Sequence, residues 1–241
     1  MSLLCVESLD ARYGLLRAVR DVSFSCDEGD ILALVGANGA GKTTLLRSIA
    51  GVHAPHAGRI VFDGAEISTL RPAKRVRLGI AMVPEGRRLF GSMTVEDNLR
   101  VAAMRARPGP WNIDSVVDAF PQLKPKLKSP AGQLSGGQQQ ATAIARALMT
   151  NPRLLLLDEI SLGLSPIAVD QVYGSLQSLV AMRTTIVLVE QDLSRALRFS
   201  NRVICMLEGG IPLRGKSHEI SREAIMDAYF GLDRGEPSAR H

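Results

Sequence analysis

The chain has 241 residues, 46% of them hydrophobic and 22% charged, with a formal net charge of +5. That is enough chain for one large or two small domains with a buried core, in the composition range of ordinary globular proteins. Aromatics make up only 4% and no lysine or arginine run is longer than Arg87-Arg88, which excludes nucleic-acid binding by stacking platforms or a basic patch.

In chain order, residues 3–14 and 19–26 read as short strands, followed by the turn DEGD and the apolar run ILALVG (31–36). A short apolar run between turn residues is the pattern of a buried strand. It leads into GANGAGKTTLLRSIAG, where Leu45, Leu46, Ile49 and Ala50 form one helical face and Gly51 can close the helix. GRIVFDG (58–64) predicts a peripheral hairpin, and IAMVPEGRRLF (80–90) a strand entering a loop at Pro84. Thr94 with Asp97 forms a capping-box-like start for a helix through about Arg105. ARPGPW breaks that helix, IDSVVDAFPQL is a second helical piece, and KPKLKSPAGQ is a basic, proline-rich linker. Residues 153–159 and 184–191 return to buried strands, 202–215 form a terminal hairpin and 221–231 a closing helix. Strands alternating with helices predict an α/β fold with a parallel, doubly wound sheet. PGP (108–110) and RGEPSARH (234–241) are the segments with a disordered composition.

Cys5, Cys26 and Cys205 lie far apart, with neither a C-x-x-C pair nor a neighbouring histidine, so reduced thiols are expected rather than a disulfide frame or a zinc site. The opening residues are charged too early for a secretory signal. No apolar run approaches the roughly 20 residues that span a bilayer.

Chemistry concentrates in three places. GANGAGKTT fits G-x-x-x-x-G-K-[ST] between a predicted strand and a predicted helix. Its candidate phosphate-binding residues are Gly36, Asn38, Gly39, Gly41, Lys42, Thr43 and Thr44. Backbone N–H groups close around phosphate, Lys42 reaches the β/γ oxygens, and the Thr43 hydroxyl ligates Mg²⁺. LLLLDE ends a buried strand in Asp158, placed to hold a metal through water, and Glu159, placed to deprotonate a water. The third place is QLSGGQQQATAIARAL, a helix with Ala141, Ile144, Ala145 and Leu148 on one face. Gly136 and Gly137 leave bare N–H groups at its start, a second anion site that carries no lysine.

LSGGQ between a phosphate loop and an acidic strand end resembles the signature of ABC-type ATPases, and with GANGAGKTT and LLLLDE the resemblance covers essentially the whole chain. It implies a single ABC ATPase domain, residues 1–241: a P-loop, RecA-like α/β core, an antiparallel β subdomain and a helical subdomain inserted at about 87–134. It implies ATP and Mg²⁺ as cofactors. It also implies a head-to-tail pair with a second ATPase subunit, in which Ser135, Gly136, Gly137 and Gln138 of one chain close over the γ-phosphate held by the other's lysine. Tyr13 matches the aromatic that stacks on adenine. Glu85 stands at the usual glutamine of the loop that touches metal and the membrane partner. Gln191 stands where most members have a γ-phosphate-contacting histidine, and Ser165 replaces the common aspartate of the dimer-crossing loop.

VPEGRRLF with MTVEDNL, SLGL-P and VEQ look like the LivF branch, the smaller of two ATPases in branched-chain amino-acid importers. ATPases of urea and amide importers share much of this pattern. Ile160 departs from the branch, where proline follows the glutamate; that frees φ and adds a backbone donor beside Glu159. The resemblance therefore implies an ATP-hydrolysing importer subunit, peripheral on the cytoplasmic side of the inner membrane. Its partners would be transmembrane permease subunits and, indirectly, a periplasmic or extracellular solute-binding protein, with no nucleic acid. The alternatives are a soluble, non-transport ABC ATPase, whose usual second cassette or long coiled coil has no room in 241 residues, and a subunit that binds ATP without turning it over.

Overall fold

The computed structural model describes residues 2–104, 106–181 and 184–232. Two sheets organise it. The smaller has the order β2-β1-β4-β5. In it β1 (Ser2–Tyr13) pairs antiparallel with both β2 (Leu16–Asp27) and β4 (Ala57–Phe62), and β5 (Ala65–Glu66) completes the expected edge hairpin. In the larger sheet, β3 (Ile31–Val35), β6 (Ile80–Val83), β7 (Leu154–Asp158), β8 (Thr185–Val189) and β9 (Arg202–Leu207) run parallel. β10 (Gly210–Lys216) turns back against β9 at the edge, giving the order β10-β9-β3-β8-β7-β6.

The central strands are apolar throughout because both faces are covered. Leu154, Leu156, Val187 and Val189 face the small sheet and α1 (Lys42–Ala50). Leu155, Leu157, Ile186 and Leu188 face the opposite layer, with α3 (Val95–Ala103), α5 (Gly136–Leu148) and α6 (Pro166–Ala181). Ala33 and Val35 of β3 meet α7 (Leu193–Phe199) and α8 (Arg222–Phe230). Ser135 opens α5 and Thr94 opens α3, each with a complete capping box; Gly51 and Gly231 close α1 and α8 in the left-handed conformation.

Several expectations change. The helix that Thr94 opens ends at Ala103, and Arg105 lies outside the described residues, as does RGEPSARH. The stretch 124–133 is packed rather than a free linker: short 3-10 turns occupy Pro121–Lys126 and Ala131–Gln133, with Leu123 and Ala131 fully buried. Its backbone is tied to α3 by Val95 N–H on the Ser129 carbonyl and Glu96 N–H on that of Leu127. PGP is ordered, since Asn151 exchanges two hydrogen bonds with the Trp111 backbone and the turn before it closes over that side chain. The second helical piece is confined to α4 (Ile113–Ala119). The helices α2 (Pro72–Leu78), α6 and α7 add to these expectations; in α6 the buried Val169, Val172, Tyr173, Leu176 and Leu179 repeat at helical spacing, with Asp170, Gln171 and Gln177 between them. The three cysteines are free thiols, as expected.

Arg75 of α2 is 1% exposed. It donates Nη1 to the Ser48 and Ile49 carbonyls at 2.7 and 2.8 Å, Nε to Leu70 and Nη2 to Ser68. The guanidinium thus satisfies the Ile49 carbonyl at the end of α1 and shares that of Ser48 with the capping Gly51 N–H. Burial pushes its pKa down to about 10, so it remains a cation at neutral pH. Arg75→Met takes this donor from the Ile49, Leu70 and Ser68 carbonyls and leaves that of Ser48 with the Gly51 N–H alone, and unfolding in denaturant should report a loss of roughly 3 kcal/mol; a loss under about 1 kcal/mol would mean that water replaces the guanidinium.

Candidate functional site

Three strand ends form the floor of the site. β8 lies between β3 and β7, and Leu34 pairs with Val189 while Val189 pairs with Asp158. The loops that follow these strands therefore leave the sheet side by side at its carboxyl edge, where open α/β sheets form their crevices.

After β3 the chain turns through residues 36–41 into α1. Gly36 and Gly41 have φ of 147° and 100°, and a Cβ on either would lie 2.2 Å from a backbone oxygen, that of Met206 or of Ala18. Only glycine fits there. Lys42, 4% exposed, donates Nζ to the carbonyls of Gly36 at 2.7 Å and Ala37 at 2.9 Å, so its ammonium sits inside the loop. Burial lowers its pKa, while the carboxylates of Glu159 and Asp158 work the other way.

Thr43 Oγ1 donates to Asp158 Oδ1 at 2.9 Å. Asp158 is 1% exposed and its Oδ2 has no hydrogen-bond partner. Burial pushes this carboxyl above the usual range; the Thr43 hydrogen bond opposes the shift and the charges of Glu159 and Glu85 add to it. Among the described residues no group of three or more metal-ligating side chains exists. A hydroxyl and an orphaned carboxylate oxygen beside a phosphate loop nonetheless suit Mg²⁺, which keeps several waters and takes its other ligands from phosphates.

Glu159 has φ 49°, a left-handed conformation that costs about 1–3 kcal/mol outside glycine. The end of β8 holds it: Glu159 N–H donates to the Val189 carbonyl at 3.2 Å, and its Oε2 accepts from Gln191 Nε2 at 2.7 Å. Ile160 is 1% exposed in the core. A proline there would drive the preceding residue to extended backbone, so the isoleucine is compatible with the conformation Glu159 adopts.

A cleft of about 230 Å³ gathers Tyr13, Leu16, Ala18, Asn38, Gly39, Gly41, Lys42, Thr43, Thr44 and Glu159. Tyr13 is 46% exposed and rests on His53, with ring centroids 4.5 Å apart. Glu85 meets Glu159, Gln139 and Gln140 in an adjoining cleft of about 180 Å³. The loop after Glu85 is bound to α5: Arg146 donates to the carbonyls of Arg87 and Arg88, and Arg87 donates to Gln139 Oε1. Ser135, Gly136, Gly137 and Gln138 line neither cleft. Ser135 Oγ accepts from Gln138 N–H and Gln138 Oε1 from Ser135 N–H, which leaves the first N–H groups of α5 turned outward. Gly137 also has a packing reason, because a Cβ there would lie 2.7 Å from that of Ala168.

The family profile described as ABC transporter matches residues 19–161. The chain belongs to the ABC transporter family. It is 38% identical to the high-affinity branched-chain amino acid transport ATP-binding protein BraG of Pseudomonas aeruginosa, over 95% of this chain and 100% of that one. It is also 38% identical to the probable branched-chain amino acid transport ATP-binding protein LivF of Archaeoglobus fulgidus, over 88% and 91%. Among solved structures, the ADP conformation of an ATP-binding cassette of an ABC transporter superposes with a TM-score of 0.81 at 27% identity, covering 94% of each chain. A nucleotide-free cassette superposes with a TM-score of 0.80 at 28% identity, covering 95% of each. As an ABC ATPase, the chain binds and hydrolyses ATP.

The sequence reading missed the groups behind the site: the Ala18 carbonyl against Gly41, the His53 ring under Tyr13, and Glu190 with Tyr173. Only Glu190 carried a signal, an acid directly after a buried apolar strand. Gly41→Ala should weaken equilibrium ATP binding more than tenfold, roughly 1.4 kcal/mol or more, because its Cβ has no room. Gly29→Ala, also at positive φ but facing open space, should cost about 1 kcal/mol of stability and leave ATP affinity unchanged. Equal affinities in the two variants would refute the packing argument.

Proposed function

We propose that this chain is the ATP-hydrolysing subunit that powers a membrane importer for branched-chain amino acids. The observation that carries the reading is the Thr43–Asp158 pair with its orphaned oxygen, set between the Lys42 ammonium and the Glu159–Gln191 pair. The names of the two relatives support the solute class.

In this reading the adenine stacks on Tyr13. The N–H groups of the loop containing Gly36, Asn38, Gly39, Gly41 and Thr44 cradle the phosphates, and Lys42 swings from the loop carbonyls onto the β/γ oxygens. Thr43 and Asp158 would hold Mg²⁺, with Glu85 at its margin, and the ion would neutralise charge on the phosphate oxygens. Glu159 accepts the proton of the attacking water, a role worth about 10²–10⁴ in rate. Gln191 keeps that carboxylate aimed and offers its amide to the γ-phosphate. Unlike histidine it does so without titrating near neutral pH.

The signature residues Ser135, Gly136, Gly137 and Gln138 complete the site of a second ATPase subunit paired head to tail; their place outside this chain's own clefts supports that division. Residues 87–134 act as the helical subdomain. With the Glu85 loop, which Arg146 ties to α5, they pass closure to transmembrane permease subunits, and a solute-binding protein acts on the far side. Among the described residues no helix is long and apolar enough to cross a membrane, which suits a peripheral subunit on the cytoplasmic face of the inner membrane.

Glu159→Gln should retain ATP binding and lower turnover at least a hundredfold, leaving an ATP-bound dimer detectable by size exclusion. Turnover within tenfold of the native chain, about 1.4 kcal/mol of barrier, would remove Glu159 as the base. The shared site is tested by mixing Lys42→Ala with Ser135→Arg, in the assembled transporter if the chain pairs poorly with itself. Each variant alone breaks both sites, whereas a mixed pair leaves one site intact and should recover ATP-dependent cross-linking across the interface. No recovery in pairs shown to form would refute the head-to-tail arrangement.

A further inference from the structure

Glu190 stands directly behind the reaction centre. It follows β8 and is 1% exposed. A buried carboxylate is costly unless every lone pair finds a donor, and here the donors come from three elements. The Tyr173 hydroxyl of α6 donates to Oε1. Oε2 accepts from the backbone N–H groups of Gln191 at 3.1 Å and Asp192 at 3.4 Å, and Arg195 of α7 brings Nη1 to 3.6 Å. Tyr173 is fixed in turn: Phe199 packs edge-on with centroids 5.0 Å apart, and the Arg195 guanidinium lies 5.7 Å from the ring centroid.

A purely architectural account, in which the acid merely caps a turn, leaves two features unexplained. An apolar residue would extend the run of β8 at less cost, because replacing a buried charge by a packed hydrophobe is often neutral or stabilising. In addition, one of the two N–H groups that Glu190 grips belongs to Gln191, whose side chain holds Glu159. Both the backbone and the carboxylate of Glu159, a residue in a strained conformation, rest on the segment from Val189 to Gln191. Whatever fixes that segment fixes the carboxylate.

We propose that Glu190 and Tyr173 are positioning residues for ATP hydrolysis: from behind the site they set the backbone of Gln191 and, through its amide, the carboxylate of Glu159. This rests on the roles given above to Glu159 and Gln191. Tyr173 lies on α6, the helix that follows directly on the loop carrying Ser165. The same contact therefore joins that loop's helix to the hydrolytic carboxylate.

A double-mutant cycle on the full-length chain, in the complex with which it purifies, tests this. The readouts are kcat and KM for Mg-ATP, equilibrium ATP affinity and the thermal midpoint. Glu190→Ala should lower kcat about tenfold with ATP affinity within about twofold, and that loss should vanish in a Gln191→Ala background. Glu190→Gln should keep kcat within about threefold, because its amide can donate to the Tyr173 oxygen while its carbonyl accepts the backbone N–H groups. If Glu190→Ala does not fold, Tyr173→Phe, which removes one hydroxyl from a well-packed ring, should give the same pattern at smaller amplitude. Losses that multiply in the double variant, or a fall in thermal midpoint with kcat unchanged, would overturn the proposal and reduce the pair to a structural cap. A Gln191→Ala variant with native kcat would overturn it by a different route, by removing the role of Gln191 itself; that single variant separates the two failures.

Discussion

The site depends on the register of three parallel strands. Leu34, Val189 and Asp158 are paired across β3, β8 and β7, so the phosphate loop, the acidic strand end and the Gln191 turn emerge at the same level. A shift of β7 by one residue would exchange its two faces: Leu154 and Leu156 would leave the layer around α1, and Asp158 would enter the apolar layer instead of meeting Thr43. Leucines stand on both faces of β7, so the cost of such a slip falls on the Asp158 carboxylate, which would be buried without the Thr43 hydroxyl.

Strain at the site is held by contacts of the same framework. Gly36 and Gly41 adopt conformations and approaches that only glycine permits, and α1 is anchored at its other end by Arg75, which donates to the Ser48 and Ile49 carbonyls and ties them to Ser68 and Leu70. Glu159 has a side chain and still sits at positive φ, because its N–H and carboxylate are both gripped from the end of β8. Each restraint comes from the element next in space, not next in sequence. That is how a residue off its preferred backbone is kept in one geometry.

The second anion-binding element follows a different logic. Ser135 and Gln138 spend their side chains on each other in the capping box, so α5 presents backbone N–H groups of glycine as its outward chemistry. The apolar face of α5 is anchored in the core with Leu155, Leu157 and Leu188, and Arg146 near its end grips the loop after Glu85. One rigid helix thus links Ser135 and Gly136 to the loop after Glu85, and under the proposed function that helix is the route from a partner's nucleotide to the membrane.

The sequence by itself determined the parts whose physics is local. Phosphate-loop glycines, a lysine and a threonine at fixed spacing, the Thr94 and Ser135 caps, the apolar central strands and the acidic end at Asp158 and Glu159 all follow from interactions within a few residues. The short-range breakers misled in two places: PGP and the 124–133 stretch have loop composition, yet Asn151 and α3 hold them through contacts distant in sequence or supplied by the backbone. Only the tertiary structure decided which oxygen of Asp158 is left without a partner, why Glu159 sits in a left-handed conformation, that His53 backs Tyr13, and that Tyr173 and Glu190 meet behind Gln191. These depend on strand order, register and the packing of α6 against β8. Such contacts join residues as much as 115 positions apart, as Thr43 and Asp158 are, and no local pattern encodes which distant partner a buried polar atom will find.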